Sequence, residues 1–334
     1  MDQAASLAAD RAPSGAVTAG TDTLSREQAE RVFREHDRFV WGLCYRMTGS
    51  AADADDLVQE TYLRAIERPP PDTSQPWRPW LARVAINLGR DALRRRRRLR
   101  YVGPWLPAAI ETADQESPPS YEVSGDGQST EARYDLLESV SLAFLLALEA
   151  LSPQQRAVLL LRDVFDYSVT ETAWALGISE PNVKTTHHRA RRAMRAYDRN
   201  RCVPTRALQE RTQEALARFV TCLTSGDVKQ VEALLGDDVC SLSDGGGEFF
   251  AARVSVVGRD RVARFHCNIA ARRPLGLRLE VRAINGLPAL VCEFGDIPRG
   301  QPPRVVTSCE LGRDGKISRL YSIVATAKLS GIRF

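Results

Sequence analysis

The 334-residue chain has no apolar run approaching the roughly eighteen residues needed to cross a bilayer, so nothing in it reads as a membrane span. Its first residues, MDQAASLAADRAPSGAVTAGTD, have neither a basic start nor an apolar h-region. That argues against a secretory signal peptide and points to a disordered extension over residues 1–24. Cysteines number seven, an odd count without CxxC spacing, which implies reduced thiols in the cytoplasm and neither a disulfide framework nor a zinc site. Most of the five in the C-terminal third (Cys222, Cys240, Cys267, Cys292 and Cys309) read as small apolar fillers. The net charge is only +4, so any signal for nucleic acid must lie in how charge is distributed. Hydrophobic content of 43% and charged content of 26% suit a soluble globular protein, and the length suggests two or three domains.

The distribution is far from even. Seven arginines fall in the eleven residues Arg90 to Arg100. A block this basic repels itself, and a polyanion along the helix would neutralise it; a solvated, frayed helix end is the alternative. By contrast, residues 101–134 open on a stretch, Tyr101 to Ala132, with six acids (Glu111, Asp114, Glu116, Glu122, Asp126 and Glu131) and no Lys or Arg. Pro104, Pro107, Pro118, Pro119 and three glycines break any helix there, so the stretch reads as a linker. Its run YVGPWLP carries aromatic side chains that an inert spacer does not need.

Residues 25–100 are helical in pattern. Asp53 to Arg68 has an acidic first turn that suits its own helix dipole, with Leu57, Tyr62 and Ile66 placed to pack inward and Asp56, Gln59, Glu60 and Arg64 forming a polar face. Pro69 to Pro79 reads as a rigid loop presenting Trp77 and Arg78, a pair suited to holding an unstacked base; Trp41 and Trp80 read as core. In the helix that follows, Leu81, Val84, Ala85, Leu88 and Ala92 form the expected inward stripe. Arg83, Asn87, Arg90 and Arg94 lie away from it, where Asn can bond base edges and Arg can neutralise phosphate.

Residues 135–200 are helical again, with clear punctuation. Ser152-Pro153-Gln154-Gln155 and Ser168-Val169-Thr170-Glu171 are capping boxes. Gly177-Ile178-Ser179 closes one short helix and starts the next, which is the helix-turn-helix pattern. In the last helix Val183, His187, Ala190 and Met194 share the packing face. Lys184, Thr185, His188, Arg189, Arg191, Arg192 and Arg195 face outward, suited to a major groove.

From about Ala207 a helix gives way to alternating segments with glycine turns, an α+β pattern. A helix through ALARFVTCLTSGD, a strand ending at Asp244-Gly245-Gly246-Gly247, a helical segment near 259–271 and four strands at 278–284, 289–294, 304–311 and 317–325 are expected. Asp244, His266, Glu293 and Tyr321 could serve catalysis in a cavity, but no spacing links them as a set.

DADDLVQETYLRA, PWLARVAINLGRDALRRRRR and LSPQQRAVLLLRDVFDYSVTETAWALGISEPNVKTTHHRARRAM together resemble an extracytoplasmic-function sigma factor of the sigma-70 family. The likeness covers region 2 over residues 25–100 and region 4 over 135–200, in that order. It implies that Asp56, Gln59 and Glu60 dock on the clamp helices of core RNA polymerase, with its beta and beta-prime subunits as partners. It implies that Trp77, Arg78, Arg83, Asn87, Arg90 and Arg94 melt and read the −10 element. Asn182, Lys184, Thr185, His188, Arg189 and Arg192 would read the −35 element. Promoter DNA is then the second partner, with no membrane, cofactor, metal or catalysis, and the linker would thread the polymerase cleft.

Residues 208–329 resemble the fused SnoaL-like domain, of the NTF2-like cone fold, that one subgroup carries. The fold class implied is therefore multidomain: two all-α sigma domains, a region 2 bundle and a region 4 helix-turn-helix, plus an α+β cone. Asp244, Gly245, Gly246, Gly247, Lys328 and Leu329 match the subgroup's regulatory motifs. Two positions depart from its pattern: Glu248 stands where a Lys is common, and Ala325-Thr326-Ala327 replaces Asn-Pro-Asp before Lys328-Leu329. The family usually has an aliphatic residue at His187. The cone is expected to regulate the sigma part in cis, with a small ligand inside it or an enzymatic role as an alternative. A conventional helix-turn-helix regulator is the remaining reading; it leaves the basic helix and acidic linker unexplained.

Overall fold

The computed structural model of the protein describes residues 26–98, 101–112, 133–272, 278–295 and 297–334. The N-terminal extension and five of the six linker acids lie outside them.

Three helices open the chain: α1 (Arg26–Thr48), α2 (Ala51–Glu67) and α3 (Trp77–Arg98). Ser50 starts α2 by accepting a hydrogen bond from the Asp53 amide, and three consecutive prolines follow its end. Helix α3 begins at Trp77, three residues earlier than Trp80, so Trp77 belongs to a first turn and not to the preceding loop. Pro79 is tolerated there because first-turn amides have no intrahelical partner to lose. The buried stripe of α3 is Leu81, Ala82, Ala85, Ile86, Gly89 and Leu93. It is rotated from the expected one, and Val84, Leu88 and Ala92 are only half-buried. Gly89 sets the rotation: a Cβ there would lie 3.2 Å from the Met47 Cβ of α1.

Region 4 contributes α4 (Leu142–Leu148), α5 (Pro153–Asp163), α6 (Val169–Leu176) and α7 (Glu180–Asp198). Both capping boxes form, Ser152 with Gln155 and Ser168 with Glu171. Gly177 ends α6 in the left-handed region at φ 63°, a conformation glycine adopts without cost. These seven helices share one hydrophobic core running from Phe39 to Tyr197. Phe39 meets Phe165 edge-to-face at 5.3 Å. Arg46 is buried across the seam, its Nε donating to Ser139 Oγ (2.7 Å) and its Nη2 to the Leu136 carbonyl (2.8 Å).

The C-terminal part comprises α8 (Arg206–Ser225), α9 (Val228–Leu234), β1 (Leu235–Asp244), β2 (Val256–Val257), α10 (Arg259–Arg272), β3 (Arg278–Ile284), β4 (Leu287–Glu293), β5 (Arg304–Leu311) and β6 (Ile317–Ile323). The six-stranded sheet has the order β2-β1-β6-β5-β4-β3. Only β1 and β6 run parallel among its neighbouring pairs. Its inner face packs on α8, α9 and α10 through Leu216, Phe219, Val231, Val262, Leu290 and Leu320, which is the expected α+β cone. Its other face is also covered. Leu106 and Ala109 of the linker, Leu142 of α4 and Leu329 and Ile332 of the C-terminal tail pack there on Val291, Val306 and Ile323. The linker is therefore not a free tether over Tyr101–Thr112: Leu106, Ala108, Ala109 and Ile110 are all buried.

Candidate nucleic-acid and polymerase interfaces and the clamp over them

On α2, Asp56 and Gln59 are exposed, whereas Glu60 is half-buried and holds Arg64 at 2.8 Å. The same face continues into two large aliphatics. Leu63 is 53% exposed and Ile66, expected inward, is 45% exposed. The spacing 56, 59, 63, 66 places all four on one side of the helix. The exposed apolar pair beside the acids gives this face a mixed apolar and acidic character.

On α3 the expected −10 set is divided. Trp77 is buried and packs edge-to-face with Trp80 at 5.9 Å, so it offers no platform for an unstacked base. Arg78 lies 4.4 Å above the Phe39 ring, and its carbonyl accepts a bond from Tyr167. Asn87 and Arg94 are exposed, Arg94 paired with Asp91. Arg83 is exposed as well, but its guanidinium sits 5.3 Å over Trp174 of α6. Arg90 is half-buried, with a buried Nε that finds no partner among the described residues. The rest of the basic run is partly committed. Arg96 donates to the Thr48 carbonyl (2.7 Å) and to Glu149 (2.6 Å), and Arg97 to the Leu151 carbonyl (3.1 Å).

Helix α7 presents its expected set more openly: Asn182, Lys184, Thr185, His188, Arg189 and Arg192 are all exposed. Arg191 is exposed too, but it is paired. It turns toward α5 and grips the buried Asp163 with Nε (3.1 Å) and Nη2 (2.6 Å). His187 joins it, Nε2 lying 2.9 Å from Asp163. Burial alone would raise the Asp163 pKa, but the His187 and Arg191 bonds outweigh it and hold the carboxyl below its usual range. The histidine that replaces an aliphatic residue is thus a half-buried strut.

The glycine loop and the tail meet in one cluster. Asp244 is fully buried; Tyr101 Oη donates to it at 2.5 Å, the Leu106 amide at 2.7 Å and the Gly246 amide at 3.0 Å. Lys328 Nζ reaches Oδ2, the oxygen that also accepts from the Leu106 amide, at 2.5 Å and bonds the Leu106 carbonyl as well. That ammonium lies 4.3 Å from the Trp105 ring, whose other contact is the Arg96 guanidinium at 4.0 Å. Burial lowers the Lys328 pKa to about 8, against the opposing pull of Asp244. Gly49, at φ 68°, has to be glycine twice over: a Cβ would come within 2.6 Å of the Trp105 ring. Gly246 and Gly247 also have positive φ, 58° and 79°, and Leu329 is buried on the outer face of the sheet. The two departures from the subgroup pattern turn out to be partners: Glu248 accepts from the Thr326 amide (3.0 Å) and hydroxyl (2.7 Å).

A second junction lies at the β3–β4 turn. Asn285 and Gly286 both have positive φ, 53° and 81°, the two-residue turn that Asn-Gly favours. The Asn285 amide nitrogen donates to Tyr45 Oη of α1 (2.7 Å) and to the Val140 carbonyl of region 4 (2.8 Å). Its oxygen accepts from the Ile110 amide of the linker (3.2 Å). One side chain of the cone therefore touches region 2, the linker and region 4.

The catalytic candidates are not brought together. His266 bonds Ser241 at 3.0 Å under the sheet, Tyr321 donates to Glu310 at 2.6 Å, Glu293 pairs with Arg304, and Asp244 belongs to the clamp. Among the described residues no group of three His, Cys, Asp or Glu side chains could hold a metal ion, and no helix is long and apolar enough to cross a membrane. Between the sheet and helices α8, α9 and α10, buried apolar side chains pack together. A polar cavity of about 540 Å³ lies at its seam with the linker, lined by Glu111, Thr112, Arg206, Gln209, Gln213 and Arg282 among others.

An acidic-faced helix, a basic helix and a helix-turn-helix in this order define a promoter-specificity subunit of the sigma-70 type. The family models for Sigma-70 region 2 and Sigma-70 region 4 match residues 32–99 and 141–194. The chain is 31% identical over 307 residues to the ECF RNA polymerase sigma factor SigJ of Mycobacterium tuberculosis, covering 89% of this chain and 91% of that one. It is 34% identical over 267 residues to SigG of the same organism, covering 76% and 70%. The crystal structure of M. tuberculosis SigJ superposes with a TM-score of 0.69 at 27% identity, covering 90% and 98%. The chain belongs to the extracytoplasmic-function RNA polymerase sigma factors, which direct promoter-specific transcription initiation.

Proposed function

We propose that the arrangement described is the resting state of this sigma factor, and that the cone restrains regions 2 and 4 in cis. The observation that carries the reading is Asn285, whose single amide ties the cone to α1, the linker and region 4. The −10 and −35 elements lie about 25 base pairs apart, roughly 85 Å at 3.4 Å per pair. Arg83 of the −10 helix stacks on Trp174 of the helix-turn-helix, so both elements cannot be read until region 4 leaves region 2.

In the open state Asp56, Gln59 and Glu60, extended by Leu63 and Ile66, dock on the polymerase clamp formed by the beta and beta-prime subunits. Arg78, Arg83, Asn87, Arg90 and Arg94 engage the −10 element, with Trp77 supporting α3 from beneath. Asn182, Lys184, Thr185, His188, Arg189 and Arg192 engage the −35 element. The protein acts in the cytoplasm with polymerase and catalyses nothing itself. Any regulatory small molecule would sit in the polar seam cavity; Glu111 and Thr112 of its lining come from the linker, so occupancy would favour closure.

Removing the cone would strand the apolar Leu106, Ala109 and Leu142, so a substitution tests the reading more cleanly than a truncation. Asn285→Asp keeps the shape, the positive φ and the acceptor for Ile110 but loses both donated bonds. With core polymerase it should raise transcription from the protein's own upstream promoter several-fold. Unchanged transcription, with folding confirmed, would remove the restraint from the account.

A further inference from the structure

The basic run ends in a cup of acceptors that belong to neither DNA nor solvent. Met47 and Thr48 close α1, and Leu148 closes α4; carbonyls at helix C-termini carry partial negative charge and lack intrahelical donors. Glu149 caps α4 between them. Two guanidiniums fill this cup. Arg156, 2% exposed, donates to the Met47 and Leu148 carbonyls and to Glu149 Oε1, each at 2.8 Å. Arg96 takes the Thr48 carbonyl and Glu149 Oε2 while its face rests on Trp105. Burial raises the Glu149 pKa, but Arg156 and Arg96 more than offset it, so the carboxylate stays ionised.

Arg96 thus has its planar fork satisfied by a carboxylate oxygen and a carbonyl, the geometry with which a guanidinium grips a phosphate. Its neighbours Arg94, Arg95 and Arg98 remain exposed. The sequence placed the whole run on DNA; the closed chain withholds one member, and gives a second, Arg97, to the Leu151 carbonyl of region 4.

We propose that Glu149 stands in for a promoter phosphate: Arg96 binds the DNA backbone only after region 4 withdraws, so DNA and region 4 compete for one guanidinium. The inference rests on the closed arrangement being the resting state. It makes promoter DNA itself a ligand of the open form, since DNA gains a contact there that the closed form denies it. Arg156 does not compete for DNA: its Leu148 carbonyl and Glu149 lie with it in region 4, and only its bond to the Met47 carbonyl crosses to region 2 and is lost on opening.

The test is equilibrium binding of a duplex fragment carrying the protein's own upstream promoter to the full chain, across a range of salt. Glu149→Gln keeps an acceptor for Arg156 but weakens the hold on Arg96, and should tighten binding about fivefold to tenfold, the scale of one net hydrogen bond. The slope of log K against log salt should steepen by about one phosphate contact. Adding Arg96→Ala to Glu149→Gln should abolish both changes. Glu214→Gln, the same charge change on an exposed face of α8, should produce neither. A gain that persists in the double variant, or appears equally with Glu214→Gln, would overturn the proposal, as would no gain at all. If Asn285→Asp activates transcription while Glu149→Gln does nothing to binding, closure stands and the phosphate surrogate alone fails. If neither variant has an effect, the resting state itself is wrong.

Discussion

Helices α3 and α7 are the two basic helices of the molecule, and they are treated in opposite ways. The basic face of α7 stays open: its apolar stripe of Val183, Ala190 and Met194 is satisfied within region 4, and only Arg191 is drawn inward to Asp163. Helix α3 is covered at several points. Trp174 lies against Arg83, Glu149 against Arg96, and the linker's Trp105 against the other face of Arg96. On the proposed division of labour, closure acts on the −10 helix and leaves the −35 helix accessible. Under that proposal the chain would meet duplex DNA through α7 at rest while postponing the melting step.

Breaking the clamp should separate the two helices most strongly. Lys328→Met leaves the buried Asp244 carboxylate without its cation, a change that costs about 3–5 kcal/mol when one partner of a buried pair is removed. Thermal melting should show that loss, DNA binding by α3 should rise, and −35 duplex binding by α7 should stay the same. Equal gains at both elements would erase the asymmetry.

Acid should loosen the cone before it disturbs region 4. Burial lowers the His266 pKa to about 4, below its unfolded value near 6.5. The stability it contributes is fully present above pH 6.5 and is lost as pH falls toward 4, about 2 kcal/mol by pH 5. In region 4, Asp163 is held below the usual carboxylate range by its bonds to His187 and Arg191 and so stays ionised at pH 5. Melting followed separately in the two parts at pH 7 and pH 5 checks this, and His266→Asn should flatten the cone's response.

Arg189→Ala or Lys184→Ala should cost −35 binding about 1–3 kcal/mol if the side chain reads a base, with core polymerase affinity unchanged. Equal losses in both assays would contradict the division of labour. The smallest effect is expected from Thr326→Val, which removes the hydroxyl bond to Glu248 and should lower stability by about 1 kcal/mol; the melting temperature reads it.

The helix-turn-helix was legible because its signals are local: two capping boxes and a left-handed glycine each concern residues a few positions apart. The cone's strands were legible for the same reason, through alternation and turn residues. Helix α9 and the two-residue β2 were missed, being too short to show a period. Trp77 was misplaced because Pro79 reads as loop punctuation, though prolines suit a first turn. What the sequence could not disclose was occupancy. Arg96 and Arg94 look alike along the chain, yet one meets Glu149 across 53 residues and the other stays at the surface. Tyr101, Trp105, Asp244 and Lys328 likewise converge only through the fold, although the aromatic run in the linker hinted that it packs on something.

The central claim is that regions 2 and 4 rest together and part on the promoter. Fluorescence energy transfer between dyes carried by unnatural amino acids at positions 67 and 195, both exposed, measures it in the full chain. The account predicts high transfer in the free protein and its collapse in the complex with core polymerase and a promoter bearing both elements. Low transfer in the free protein, or a value unchanged by the complex, would contradict it.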